Sequence, residues 1–147
     1  MQAAHLAQWL KTLRADVMVT SPFLRTLQTA LPVLESTVYP LQIWHDVFER
    51  GGCFRGHDPS TISGAMGMGR SQIIRALGDH SSRCELDETI LESGWWGGKN
   101  RESDEEAEGR AKGVCERLLE VFGDGQVVVL LIHADLKRLM LGEMMQD

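Results

Sequence analysis

Three polar residues stand just beyond short apolar runs: Arg25 after Val17-Met18-Val19-Thr20, Glu49 after the run from Leu41 to Trp44, and His133 after the run from Val127 to Ile132. Arg25 falls in the first turn of a helical pattern. An anion there would meet a planar guanidinium fork and backbone N–H groups that have no intrahelical partner. Glu49 follows an apolar strand, where a partly desolvated carboxyl can act as an acid near neutral pH. His133 ends a fully apolar strand and can donate a hydrogen bond to a phosphoryl oxygen or transfer a proton. Together they describe a phosphate clamp with a general acid. Taken singly, each also has a plain reading: an exposed arginine, a solvated glutamate, a histidine hydrogen-bonded for structure. Spacing alone favours those plain readings.

The elements that must position these residues alternate along the chain. Ala3, Leu6, Ala7, Leu10 and Leu13 recur at three- and four-residue steps and predict an amphipathic helix ending near Arg14 to Asp16. Val17 to Thr20 reads as a buried parallel strand. Ser21-Pro22 has the signature of an N-cap followed by Pro at the first helical position, and Leu24, Leu27, Leu31 and Leu34 carry a helix to about Glu35. A second short strand, Leu41 to Trp44, follows Pro40. Residues 50–70 are glycine-rich and aperiodic and predict a long surface excursion, with "GAMGMGRSQ" as a mobile lid or rim. A short helix is expected over Ser71 to Leu77, while Leu86 to Glu92 fits either periodicity.

Ser103 with Glu106 makes a capping box, and Ala107, Ala111, Val114, Leu118 and Phe122 form the inner stripe of a helix ending at Gly123. Val127 to Ile132 is apolar on both faces and predicts a central strand, and Asp135 to Met145 returns to helix. Trp95-Trp96 is expected to pack its loop onto the domain. Strands alternating with amphipathic helices define an α/β fold with a mostly parallel sheet, and in such sheets the ligand lies beyond the carboxyl ends of the strands. Arg25, Glu49 and His133 fall at three such ends.

Composition narrows the functions. With 147 residues, 43% of them hydrophobic, the chain suits a single domain spanning residues 1–147. A formal charge of -6 argues against nucleic-acid or anionic-membrane partners, which require a basic face. Cys53, Cys84 and Cys115 are odd in number and widely spaced, which suits reduced thiols in a cytoplasmic compartment rather than a disulfide framework or a metal site. No metal, cofactor, signal peptide or membrane span is expected, and the oligomeric state is left open.

"VTSPFLRTLQTA" closely resembles the second conserved block of the histidine phosphatase superfamily, the phosphoglycerate-mutase-like enzymes, in which a strand ends in Ser-Pro and runs into an Arg-Thr-x-x-Thr-Ala helix. "QAAHLAQWL" resembles that family's first helix, "HDVFERGG" the segment with its acidic residue, and "VVVLLIHADLKRLM" its late strand ending in histidine. "GWWGGKNRESDEEAEGRAKGVCERLL" is similar to the aromatic loop and long helix of some members. The resemblance implies a three-layer α/β/α fold and a phosphomonoester hydrolase or phosphomutase lineage acting on a small phosphorylated substrate. It implies that Arg25, with Ser21 of the same block, binds the phosphoryl group, that His133 contacts it, and that Glu49 donates a proton to the leaving oxygen.

The family's nucleophilic histidine lies in an Arg-His-Gly motif on a strand upstream of the first helix, and this chain starts at that helix. His5, His45, His57 and His80 offer no substitute by pattern. The fold is therefore expected to be truncated at the first strand, and at the last because no closing strand precedes Asp147. Without its middle strand the sheet would carry open edges, unless the strands Val17 to Thr20 and Val127 to Ile132 pair with each other. The expectation is a chain inactive as written. Met1, in mid-motif, favours a fragment over a degenerate relative that only binds a phosphorylated ligand or a protein.

Overall fold

The computed structural model describes residues 2–145; Met1 and the two last residues, on which the expectations about the ends rest, lie outside the described residues. Helix α1 (Gln2–Leu10) leads into β1 (Val17–Thr20), α2 (Leu24–Ser36) and β2 (Leu41–Ile43). A hairpin of β3 (Phe54–Arg55) and β4 (Ser63–Gly64) occupies the glycine-rich excursion. Then come α3 (Arg70–Leu77), a 3-10 turn, β5 (Cys84–Leu86), α4 (Asp104–Val121), β6 (Val128–Leu131) and α5 (Ala134–Met144).

The main sheet is four-stranded and parallel, in the order β5-β2-β1-β6. Successive side chains of a strand point to opposite faces, and the core divides accordingly. Met18, Leu41, Ile43 and Leu131 pack under α1, α2 and α3 with Leu10, Leu27, Leu34 and Ile73. Val19, Trp44, Val128 and Leu130 pack under α4 and α5 with Ala111, Val114, Leu136 and Met140. This is the three-layer α/β/α arrangement, with the strands' carboxyl ends all at one rim.

The place of β6 and the start of α2 differ from the sequence reading. Among the described residues β6 is an edge strand whose neighbour is β1, not a central one. Its all-apolar run reports helices covering both faces rather than neighbours on both sides. The strands β1 and β6 do close up against each other, Val17 opposite Val128 through Thr20 opposite Leu131. Of the stretch Leu86 to Glu92, which fits either periodicity, only Leu86 lies in a strand, as the last and buried residue of β5. Helix α2 starts two residues later than the Ser-Pro signal, with Phe23 at the cap position and no side-chain cap. Ser103 and Glu106 form the reciprocal capping box at α4 as expected, with Ser103 Oγ accepting from the Glu106 N–H at 3.1 Å.

At the end of α1 and just beyond it, where Leu10 O also accepts the Leu13 N–H at 3.1 Å, two carbonyls meet the buried Tyr39. Its single hydroxyl proton is shared between Leu10 O at 2.6 Å and Leu13 O at 2.5 Å. Tyr39→Phe removes that donor and leaves both carbonyls without it, so denaturant melting should show a loss of about 1 kcal/mol.

Candidate functional site

The register of β1 against β6 puts Thr20 opposite Leu131, so both strands end at the same level of the sheet. Thr20 reinforces the pairing from its side chain, donating to Leu131 O at 2.8 Å in the buried interior. Ser21 and His133 emerge next to each other from those ends. The His133 Nε2 lies 2.8 Å from Ser21 Oγ, although the residues are 112 positions apart. From the first turn of α2, Arg25 reaches back so that its Nη2 stands 3.2 Å from His133 Nδ1.

These contacts determine the protonation of the imidazole. A guanidinium only donates, so Nδ1 accepts and carries no proton. The remaining ring proton is on Nε2 and is donated to Ser21 Oγ. The Ser21 hydroxyl then donates to Thr26 Oγ1 at 2.8 Å, and Thr26 donates to Phe23 O at 2.9 Å. The Phe23 N–H closes the turn onto Ser21 Oγ at 3.3 Å. This relay of hydroxyls holds the ring orientation from behind, and Nδ1 faces Arg25.

His133 is only 5% exposed. Burial, then the positive charges of Arg25 and Arg110, lower its pKa from 6.5 to about 4. The imidazole is therefore neutral at pH 7. Glu49 Oε2 approaches Nδ1 to 3.8 Å, a contact that becomes an ion pair only when the ring is protonated. Glu49 Oε1 accepts the Arg50 N–H at 3.0 Å, and its side chain remains 26% exposed.

The structure thus brings Arg25, Glu49 and His133 together and puts Ser21 behind the imidazole, its hydroxyl already engaged. Two residues that the sequence reading did not single out belong to the same cluster. Phe23 lies under the Arg25 guanidinium, 4.3 Å from Cζ to the ring centroid, and stands edge-on to His133 and Trp95 at 5.0 and 4.9 Å. Thr26 supplies the end of the hydroxyl relay. The only trace of either in the sequence is adjacency to Arg25, because a helix-start threonine that bonds back to a carbonyl looks like any other.

The surroundings are firmly held. Trp95 and Trp96 are 3% and 5% exposed and pack with Phe48, as a loop anchored to the domain requires. The stretch "GAMGMG" is bonded to the aromatic loop: Ala65, Met66 and Met68 carbonyls accept N–H bonds from Gly98, Trp96, Gly97 and Trp95. Gly67 has φ +73 and lies so close to Trp95 that a Cβ would stand 2.6 Å from the indole. Among the described residues no group of three or more His, Cys, Asp or Glu is disposed to hold a metal ion, and no helix is long and apolar enough to cross a membrane.

An arginine and a histidine thus converge at the carboxyl rim of a parallel α/β sheet. The family model described as histidine phosphatase superfamily (branch 1) matches residues 1–146, and the chain belongs to that superfamily. Comparison with curated proteins finds no match.

A histidine whose pKa is lowered on folding binds fewer protons in the native chain than in the unfolded one, so stability is lost as pH falls from 6.5 toward about 4. Thermal melts across that window should show this loss, and His133→Gln should remove its share of the slope. Imidazole NMR titration should give His133 an apparent pKa near 4.

Proposed function

We propose that this chain binds the phosphoryl group of a small phosphomonoester between Arg25 and His133, as the anion-holding part of a hydrolase or phosphomutase lineage that works through phosphohistidine. One observation carries the reading: among the described residues Arg25 forms no ion pair with a carboxylate, and its hydrogen-bond partner is a neutral imidazole. A cation held by aromatic packing beside an uncharged acceptor gains strongly when a dianion arrives. Leu24 and Arg25 add backbone N–H groups from the first turn of α2.

The anion also changes His133. Its negative charge favours the protonated ring, whose Nδ1–H then donates to a phosphoryl oxygen, while Nε2–H stays on Ser21. Ser21 acts through the imidazole by fixing its orientation. Glu49, beside Nδ1, is placed to be the proton donor to a leaving oxygen wherever a nucleophile takes the phosphoryl group. Phosphoryl transfer to a histidine additionally needs a ring nitrogen in line with that oxygen. Other histidines of the described residues are engaged or exposed: His45 bonds Thr89 and Trp95 O, His80 bonds Arg83, and His5 and His57 are exposed. We therefore read the 147-residue chain as binding a phosphoryl group without turning it over. The free thiols Cys53, Cys84 and Cys115 support a reducing, cytoplasmic setting.

Sulfate or phosphate at about ten times its Kd should stabilise the chain by roughly 1.4 kcal/mol, a rise of roughly 3–6 °C in Tm. Arg25→Ala should abolish the rise. No hydrolysis of an aryl phosphate is expected, and turnover lost on changing a histidine other than His133 would overturn the reading.

A further inference from the structure

We propose that the buried ion pair of Arg110 and Glu102 is a positioning device that aims Glu49 at the anion pocket. The inference rests on the reading of Arg25 and His133 as a phosphoryl site and assigns a role to two residues outside it. Glu49 itself has few restraints: beyond its approach to His133, its carboxylate accepts the Arg50 N–H. Its aim is inherited from the backbone around it.

That backbone is held from both sides by one pair. Arg110, on α4, donates through Nη1 to Asp46 O at 2.8 Å and to Phe48 O at 3.0 Å, ahead of Glu49. Its Nε and Nη2 grip both oxygens of Glu102 at 2.7 and 2.8 Å. Glu102 in turn accepts the Gly51 N–H at 3.2 Å, and its own N–H donates to Gly51 O at 3.1 Å, behind Glu49. The guanidinium also stacks on Phe48, 3.7 Å from the ring centroid. Arg110 and Glu102 side chains are 11% and 6% exposed.

A buried ion pair is a poor way to gain stability, because desolvation offsets the attraction. It is a good way to specify geometry, since the planar fork has fixed donor directions. Here those donors converge on the two carbonyls and one carboxylate that bracket Glu49. The Glu49 side chain extends from this clamped turn toward His133, whose ring lies within the field of Arg110. Lysine at position 110 keeps the charge but lacks the fork, so it cannot hold Glu102 and both carbonyls at once.

Sulfate binding measured by calorimetry at pH 7.5 tests this, because a carboxylate aimed at the pocket opposes a dianion there. Glu49→Gln removes that carboxylate and should tighten sulfate binding severalfold. Arg110→Lys should tighten it in the same direction by letting Glu49 swing away from His133, and the double variant should bind no more tightly than Glu49→Gln alone.

A fall in affinity for Arg110→Lys, or a tightening that adds in full to that of Glu49→Gln, would mean that the pair only supports the fold, and would overturn the inference. If Arg110→Lys does not fold, Glu102→Gln tests the same link and should tighten sulfate binding in the same non-additive way. Absence of sulfate binding by the unaltered chain overturns the functional reading and this inference with it. Arg25-dependent binding that Arg110→Lys leaves unchanged or weakens overturns this inference alone.

Discussion

The parallel pairing of β1 with β6 is the constraint on which the site depends. It joins two segments more than a hundred positions apart, and its register brings Ser21 and His133 out of the sheet together. A slip of one residue would turn every side chain of β6 to the opposite face. Met18 and Leu131 on one face and Val19 and Leu130 on the other prevent it, because each set is matched to a different helical layer. The buried Thr20 hydroxyl on Leu131 O adds a directional bond at the point where the strands end. Core packing and site geometry are thus one problem here, solved by a single register.

The electrostatics of the pocket follow from that burial. A desolvated imidazole next to a guanidinium resists protonation, and the ring stays neutral with its free nitrogen toward Arg25. The relay through Ser21 and Thr26 satisfies the other nitrogen inside the protein. No buried side-chain polar atom among the described residues lacks a partner. The cluster is therefore complete as it stands, and Arg25 forms no ion pair with a carboxylate among the described residues.

Arginines do a second, separate job beneath the site. Arg117 on α4 bridges Asp46 and Asp87 at 3.0 and 2.7 Å and lies over the Trp44 ring at 3.8 Å. It ties the ends of β2 and β5 to the helical layer below. Arg110 does the same for the turn that carries Glu49. Both are planar cations that stack on a ring while spending their donors sideways, a geometry that an ammonium cannot reproduce. The aromatic loop then closes over this frame. Gly52, at φ +83, lets the turn pass so close to Trp96 that a Cβ would stand 2.3 Å from the indole.

Much of this was readable in the chain itself. Val17 to Thr20, the capping box at Ser103 and the stripe from Ala107 to Val114 are local patterns, and strand, cap and inner face follow from the period of apolar residues. Arg25, Glu49 and His133 were readable as candidates because they follow apolar strands, and a parallel sheet exposes its carboxyl ends to ligands. The rest depends on distance in sequence. No local rule says that β6 lies at the edge beside β1, that Ser21 turns from capping α2 to orienting an imidazole, or that Glu102 and Arg110 grip the turn before and after Glu49. The seven residues between that pair cross a helix cap, so neither residue's pattern points to the other. Periodicity belongs to the chain, whereas register, burial and the protonation they impose arise only when two remote strands pack and exclude water.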